Sequence, residues 1–245
     1  MKLTVLTGMP DEVLVLDEPE PCPYRPGETA RMPLRLPVRA LTPEETDMHF
    51  ARGDRRHGRL LYRPTCPTCC ACEAIRLDLE TFRISRTQRR TLRRGDRMLR
   101  TELGPPSVDA ARVALYEKHK RGRDLVVGSG KPLDEKGYFG FLVDRCLESI
   151  ELRYFLDDEL VGVAVTDRGA ESLSAVYCFF DPDHPTLSIG TYSILKQVEK
   201  ARAWGCRYLY LGLYIADNPH MNYKGRFLPH ERLTGGAWRV FDRPR

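Results

Sequence analysis

The sequence lacks a long hydrophobic run and a secretory leader. No stretch of its 245 residues approaches the roughly 20 apolar residues that a membrane-spanning helix needs. The first segment, residues 1–21, is interrupted by Pro10, Asp11 and Glu12 and has no small-residue cleavage site. With 42% hydrophobic and 30% charged residues, the chain has the composition of a soluble globular protein. We therefore expect a cytoplasmic protein with no membrane partner.

Acidic residues are almost missing from residues 83–100. This interval holds eight arginines and a single acid, Asp96. The arginines are Arg83, Arg86, Arg89, Arg90, Arg93, Arg94, Arg97 and Arg100. The net charge of +5 is modest, so it is this local excess that favours a nucleic acid or another phosphate-bearing partner. A solvated charged surface is the alternative interpretation.

Cysteine, in contrast, is abundant. The chain has eight cysteines, and four of them lie within the seven residues from Cys66 to Cys72. Since cytoplasmic thiols stay reduced, this cluster favours metal binding or redox chemistry over disulfides. The Cys-x2-Cys-x2-Cys spacing supplies three of the four ligands that zinc takes, and an iron–sulfur centre could use the same thiolates. The candidate ligands are Cys22, Cys66, Cys69 and Cys72, with Cys70 as a further candidate. Reduced structural thiols are the alternative.

Two capping boxes predict helices in the first half of the chain. Thr42 and Glu45 predict a helix that ends near residue 52, and the residues that follow, 52–59, predict a basic loop. Ser85 and Gln88 predict a second helix, with Gly95 as its C′ residue. On the second helix five arginines recur at spacings of three and four residues, which places them on one face. They are Arg86, Arg89, Arg90, Arg93 and Arg94.

The Gly104-Pro105-Pro106 segment predicts a boundary between two domains, residues 1–104 and 107–245. After it, Ser107 is the predicted N-cap of a helix that runs to about residue 120. Three strands separated by turns, at residues 150–156, 160–166 and 172–180, predict an antiparallel meander. A helix over residues 188–204 and an apolar strand over residues 207–214 follow.

A meander followed by a helix and a strand resembles the order of N-acetyltransferase-like (GNAT) folds. In those folds the helix N-terminus holds the phosphates of the acyl donor, because free backbone N–H groups and the helix dipole favour anions. Ser188, Gly190 and Thr191 occupy that place here and are candidate substrate-binding residues. We therefore expect an α/β (α+β) fold in which a GNAT-like acyltransferase domain follows a smaller cysteine-containing α+β domain.

Several motifs together resemble those of the aminoacyl-tRNA–protein transferases. They are Pro21-Cys22-Pro23-Tyr24, Tyr62-Arg63-Pro64 with the cysteine cluster, Ser85 to Arg90, Leu173 to Pro182, Tyr208 to Gly212 and Met221-x-Tyr223-Lys224. The resemblance extends in order from about residue 21 to residue 233. It is strongest to the bacterial aspartate/glutamate leucyltransferases, which are relatives of the eukaryotic arginyltransferases.

This resemblance implies an enzyme that transfers leucine from Leu-tRNA to the N-terminal α-amine of proteins beginning with Asp or Glu. The new N-terminal leucine marks those proteins for degradation by the N-end rule. Arginyl transfer from Arg-tRNA is the alternative. With tRNA as the partner, the arginine face of the second helix is the expected tRNA-binding surface, and no DNA partner is expected.

The implied reaction is the aminolysis of an ester, which requires no cofactor. Positioning supplies much of the rate, and an α-amine with a pKa of about 8 needs little help from a base. Tyr177 and Asp181, on and after the last meander strand, are candidate catalytic residues, and Asp181 would orient the amine or accept its proton. A turn residue is the alternative for Asp181. Arg76, Tyr223 and Lys224 are candidate substrate-binding residues. Tyr223 and Lys224 would contact tRNA phosphate or the acidic side chain, and a core tyrosine with a surface lysine is the alternative.

Two other classes of protein share parts of this pattern. A metal-binding and RNA-binding module without catalysis would need the cysteines and the arginine helix but not the C-terminal motifs. A small-molecule acetyltransferase would need a coenzyme A site at residues 188–191 and no arginine helix.

Overall fold

A computed structural model describes residues 4–8, 10–125 and 131–242 of the chain. The strands are β1 Thr4–Leu6, β2 Glu12–Leu16, β3 Pro19–Pro21, β4 Thr29–Arg31, β5 Leu34–Pro37, β6 Arg55–His57, β7 Leu60–Tyr62, β8 Glu73–Asp78, β9 Leu99–Gly104, β10 Ser149–Leu156, β11 Glu159–Arg168, β12 Ser172–Phe180, β13 Tyr208–Tyr214, β14 His230–Thr234 and β15 Ala237–Phe241. The α-helices are α1 Pro43–Ala51, α2 Arg86–Met98, α3 Ala110–Gly122, α4 Glu135–Tyr138 and α5 Ile189–Ala203. A π-helix covers Phe139–Val143, and 3-10 turns cover Pro185–Leu187 and Asn222–Arg226.

An eight-stranded mixed sheet forms the centre of the fold, in the order β15-β14-β8-β13-β12-β11-β10-β9. Strands β10, β11 and β12 pair antiparallel, which confirms the predicted meander. Helix α5 then leads into β13, which pairs parallel with β12 over only three residues, Ser172–Ser174 with Tyr208–Tyr210. Beyond these residues the two strands separate, and we call this opening the fork. The predicted GNAT-like α/β arrangement is confirmed.

Helices cover both faces of the central sheet. On one face, Leu195 and Val198 of α5 pack against Leu77, Leu173 and Leu209. On the other face, α3 and α4 pack against β11 and β12, and α1 packs against the end of the sheet near β13. Ala164 of β11 packs with Tyr192 on the α5 side, and its neighbours Val163 and Val165 pack on the α3 side, as the two-residue period of a strand requires. The fork therefore opens between two packed layers.

Helix α2 begins as predicted but ends later. The Ser85 hydroxyl accepts a hydrogen bond from Gln88 N, and the Gln88 side chain accepts one from Ser85 N, so the capping box is confirmed. The prediction that Gly95 is the C′ residue is wrong, because the helix passes through Gly95 and ends at Met98. A Cβ atom at Gly95 would lie 2.2 Å from the Tyr192 ring on α5. Glycine is present there because the two helices approach closely.

Two other sequence predictions need correction. Helix α3 is capped by Asp109 and not by Ser107, since the Asp109 side chain accepts a hydrogen bond from Arg112 N at 2.8 Å. Residues 52–59, predicted as a basic loop, fold into the hairpin of β6 and β7 at the edge of a five-stranded sheet. Arg56 of this hairpin is buried, and its Nε donates to the Asp167 carboxylate at 2.8 Å.

The predicted boundary at residues 104–107 falls between two paired strands of the central sheet, β9 and β10. Strand β8, also from the first part of the chain, lies between β13 and β14. The division of the chain into two domains stays a prediction. Among the described residues, no helix is long and apolar enough to cross a membrane.

Candidate active site at the fork of the central sheet

The fork is occupied by the guanidinium group of Arg55, which reaches in from the β6–β7 hairpin. It donates to Ser174 Oγ at 3.1 Å, to Ala175 O at 2.8 Å and to Val176 O at 3.2 Å. Gly212 of β13 has a φ of +90°, and a Cβ atom there would lie 3.1 Å from Arg55 Cζ. Arg55 thus supplies hydrogen-bond donors to carbonyl groups of β12 that do not pair with β13. The sequence predicts only a basic loop around Arg55, and no local pattern marks its role.

Lys224 lies beside the fork in the 3-10 turn Asn222–Arg226. Its side chain is buried, and Nζ donates to Leu213 O of β13 at 2.7 Å. Burial, together with the nearby charge of Arg55, lowers the pKa of Lys224 to about 7. A lysine in this state is largely neutral slightly above neutral pH and can accept a proton there.

Tyrosines surround the same opening. Tyr177 of β12 packs against Tyr116 and Phe141, with ring centroids 5.6 Å apart in each case. Burial raises the pKa of Tyr177, and the neighbouring Tyr24 adds to this rise. Burial also raises the pKa of Tyr223 to about 12. These hydroxyl groups therefore stay protonated at neutral pH and can donate hydrogen bonds to a developing oxyanion.

Asp181 lies at the end of β12 in a tight turn. Its carboxylate accepts hydrogen bonds from Lys118 Nζ at 2.6 Å and from Asp183 N at 2.9 Å. Burial raises the pKa of Asp181, but these hydrogen bonds and the Lys118 charge outweigh burial and hold it below its ordinary value. The geometry matches the turn residue considered above, and the catalytic role of Asp181 stays a prediction.

The N-terminus of α5 follows this turn. Ser188, its N-cap residue, is in the left-handed region with φ 49° and ψ 47°. A Cβ atom at Gly190 would lie 3.2 Å from the Phe180 ring, so the backbone passes close to this side chain. Thr191 follows on the first turn and is half-buried. The three predicted substrate-binding residues therefore lie together at a helix start suited to an anion.

The arginine face of α2 reaches the same region. Its members Arg86, Arg89, Arg90, Arg93 and Arg94 are all exposed. Arg94 Nη1 donates to Thr186 O in the turn before α5. The predicted tRNA-binding surface and the predicted phosphate-binding helix start are therefore continuous.

Arg76, in contrast, is held inside the protein. It is only 8% exposed. Its Nε donates to Glu231 at 2.6 Å, its Nη1 donates to the Tyr210 hydroxyl at 3.1 Å, and its Cζ lies 3.8 Å from the Tyr208 ring centroid. These contacts hold β8, β13 and β14 together, and the substrate-binding role stays a prediction.

The structure brings Cys22 close to the cysteine cluster. Burial, together with the neighbouring thiols of Cys22, Cys66 and Cys69, raises the pKa of Cys72 to about 12. Cys70 is exposed. Within the described ranges, no three or more His, Cys, Asp or Glu side chains are placed to hold a metal ion. As placed, the thiols do not form a ready metal site. Zinc or iron–sulfur binding stays a prediction, and no chemical step depends on it.

Comparison with known proteins gives the family. The model of the arginine-tRNA-protein transferase N terminus matches residues 20–90, and that of its C terminus matches residues 111–234. The aspartate/glutamate leucyltransferase of Chromobacterium violaceum is 39% identical over 222 residues, which are 91% of each chain. The Aeromonas hydrophila enzyme of the same name is 36% identical over 96% of this chain and 98% of its own.

A solved structure, that of FemX, shares the fold. Its TM-score is 0.50 at 8% identity, over 92% of this chain and 84% of that chain. At this identity the likeness concerns the fold alone. The two family matches and the identity along nearly the whole chain together show that the protein belongs to the arginine-tRNA-protein transferase family, with the aspartate/glutamate leucyltransferases as its relatives.

Proposed function

We propose that this protein transfers leucine from Leu-tRNA to the N-terminal α-amine of proteins that begin with Asp or Glu. The product is a protein with an added N-terminal leucine, which marks it for degradation by the N-end rule. The observation that carries the proposal is the continuity between the arginine face of α2 and the start of α5 beside the fork. The names of the relatives support leucine as the transferred residue.

The chemistry is one acyl transfer. The α-amine nitrogen attacks the ester carbonyl carbon of the aminoacyl-tRNA, the new C–N bond forms, and the C–O bond to the terminal ribose breaks. The amine proton must leave, and the released ribose oxygen must gain one. Lys224 in its neutral form is our candidate for the group that accepts the amine proton, since its pKa of about 7 lies near the operating pH. The protonated Tyr177 and Tyr223 are candidate donors to the oxyanion.

The arginine face of α2 binds the phosphates of tRNA in this proposal. Contacts of this kind give affinity without sequence readout and depend steeply on salt. The start of α5 then receives the last phosphates of the acceptor end. Because charged tRNA is a cytoplasmic substrate, we expect the reaction to take place in the cytoplasm.

To test this, the protein is incubated with Leu-tRNA and Arg-tRNA at equal concentrations, and the two amino acids carry different labels. The acceptors are peptides that begin with Asp, Glu, Lys or Ala. We expect leucine, and not arginine, to appear on the Asp and Glu peptides alone. Transfer of arginine would assign the donor preference named in the family model instead. No transfer from either tRNA, with turnover of acetyl-coenzyme A, would overturn the proposal.

A further inference from the structure

A cleft of 260 Å³ lies at the end of β13 and takes no part in the reaction as described so far. Its charged lining residues are Arg25, Glu73, Asp217 and Arg232, and the Tyr214 ring forms part of its wall. We propose that this cleft binds the acidic first residue of the protein substrate, with Arg232 and Arg25 as the residues that recognise the side-chain carboxylate. This inference rests on the proposed function and names the residues that select its acceptor.

Arg232 is the best-defined part of the cleft. It is 9% exposed, and its Nη1 donates to Glu73 at 2.8 Å. Its guanidinium carbon lies 4.6 Å from the Tyr214 ring centroid and 3.5 Å from that of Phe241, so the group is fixed between two aromatic rings. Its buried Nε has no hydrogen-bond partner among the residues that the structure describes. A buried donor without a partner is costly, so this guanidinium group beside the cleft has unused hydrogen-bonding capacity.

Arg25 supplies a second, more accessible guanidinium. Its side chain is 36% exposed, and its Nε lies 3.0 Å from Asp217 Oδ2. The cleft thus holds two arginines and two carboxylates in two ion pairs, and the four charges sum to zero. An N-terminal Asp or Glu also carries one positive α-ammonium and one negative carboxylate at neutral pH. When such a residue enters, the arginines can pair with its carboxylate while Glu73 and Asp217 pair with its α-ammonium.

The other kinds of first residue match this cleft poorly. An Ala terminus carries only the positive ammonium, and a Lys terminus carries two positive charges, so both leave the guanidinium groups without a new partner. Planar guanidinium groups suit a carboxylate, which can accept two parallel hydrogen bonds. A site built to hydrogen-bond one group discriminates strongly against analogues that lack it.

The position of the cleft fits an acceptor site. Arg25 follows Tyr24, whose pKa responds to the charge of Arg55 in the fork. Tyr214 follows Leu213, whose carbonyl oxygen accepts the hydrogen bond from Lys224. A Cβ atom at Gly225 would lie 3.1 Å from the Tyr214 ring, so this ring packs on the turn that carries Lys224. The cleft therefore lies at the end of β13, one residue from the carbonyl group to which Lys224 donates.

The experiment measures peptide binding without tRNA, so that it does not depend on the donor. Peptides that begin with Asp and with the isosteric Asn are titrated against the wild type, Arg232→Gln and Arg25→Gln. The matched control is Arg239→Gln, an exposed arginine directly opposite Arg232 on β15. We expect the wild type and the control to prefer Asp by on the order of 10²-fold, and both cleft variants to lose most of this preference.

Leucine transfer by the wild type is measured on the same peptides. If the wild type shows no preference for Asp over Asn, or if both cleft variants keep the preference, the cleft is not the acceptor site. Leucine transfer by the wild type would in that case still support the proposed function. If the cleft variants lose the preference but the wild type transfers no leucine, the acceptor site holds and the donor has been misassigned. Arg25, at the surface, keeps the test valid if Arg232→Gln does not fold.

Discussion

In the proposed reaction, single residues at the fork carry the chemistry, and Lys224 is the clearest case. Burial beside Arg55 lowers its pKa to about 7, so it is protonated below that pH and neutral above it. If neutral Lys224 accepts the proton of the amine, leucine transfer rises as the pH rises through about 7. In Lys224→Met the part of this rise near pH 7 is lost, so that only the titration of the substrate α-amine near pH 8 remains, and kcat falls by about 10²-fold while the KM for the peptide changes little. The pH profile of single-turnover transfer checks this.

A matched control for Lys224 is Lys136→Met, an exposed lysine on α4. It should reproduce the wild-type pH profile. A Lys224→Met enzyme with the wild-type rate and profile would show that Lys224 only supports the β13 carbonyl group to which it donates.

The roles of Arg55 and Arg56 show why such residues cannot be found from sequence. A basic segment is ordinarily a solvated surface, and the sequence predicts such a basic loop at residues 52–59. The structure pairs Arg56 with Asp167, and Arg55 with carbonyl groups of β12, more than a hundred residues along the chain. Only the tertiary fold brings these partners together. Lys224, in contrast, was singled out as a site residue by its motif, although its burial was not predicted.

Among the elements, α2 combines a packed face with a charged face. A Cβ atom at Gly95 would lie 2.2 Å from the Tyr192 ring. Gly95→Ala should therefore destabilise the protein, by about 1–3 kcal/mol as for other overpacked sites. In a free helix the same substitution stabilises by about 1 kcal/mol. The sign of the change in the free energy of unfolding therefore shows whether Gly95 is packed against another helix. Urea unfolding measures it, with Arg97→Ala on the exposed face of the same helix as the control. Stabilisation by Gly95→Ala would contradict the close contact of α2 and α5.

The exposed face of α2 carries the second element-scale prediction. Charge reversal at Arg89 and Arg90 should weaken binding of tRNA and flatten its salt dependence, since about two phosphate contacts are lost. The control reverses two exposed lysines elsewhere, Lys131→Glu with Lys136→Glu. Filter binding or fluorescence anisotropy over a series of salt concentrations measures both variants. Equal salt slopes for the two double variants would remove α2 from the tRNA-binding surface.

Local sequence signals placed the starts of α1 and α2 correctly, because a capping box is satisfied within four residues. The end of α2 was not predicted, because Gly95 is required by the close packing of the Tyr192 ring of α5 and does not mark a helix end. The hairpin of β6 and β7 was missed for a similar reason, since its side chains are fixed by distant strands. The C-terminal hairpin of β14 and β15, which supplies Arg232 to the cleft, was not predicted either.

At the scale of the whole molecule, the meander, helix and strand of a GNAT-like fold could be predicted from the order of elements. The fork could not, because it depends on β12 and β13 pairing over only three residues. The sheet also includes β8 and β9 from the first part of the chain, so strands from both sides of the predicted boundary frame the site. The fork and the strands that carry Glu73, Tyr214 and Arg232 of the cleft therefore belong to one sheet.

The central claim is that this molecule adds leucine to an acidic N-terminus. Its most direct test is the intact mass, with N-terminal fragmentation, of a protein that begins with Asp after incubation with this protein and Leu-tRNA. We expect the gain of one leucine on the α-amine, and no gain when the first residue is replaced by Asn. The gain of an arginine or an acetyl group in parallel incubations with Arg-tRNA or acetyl-coenzyme A, with none from Leu-tRNA, would contradict it.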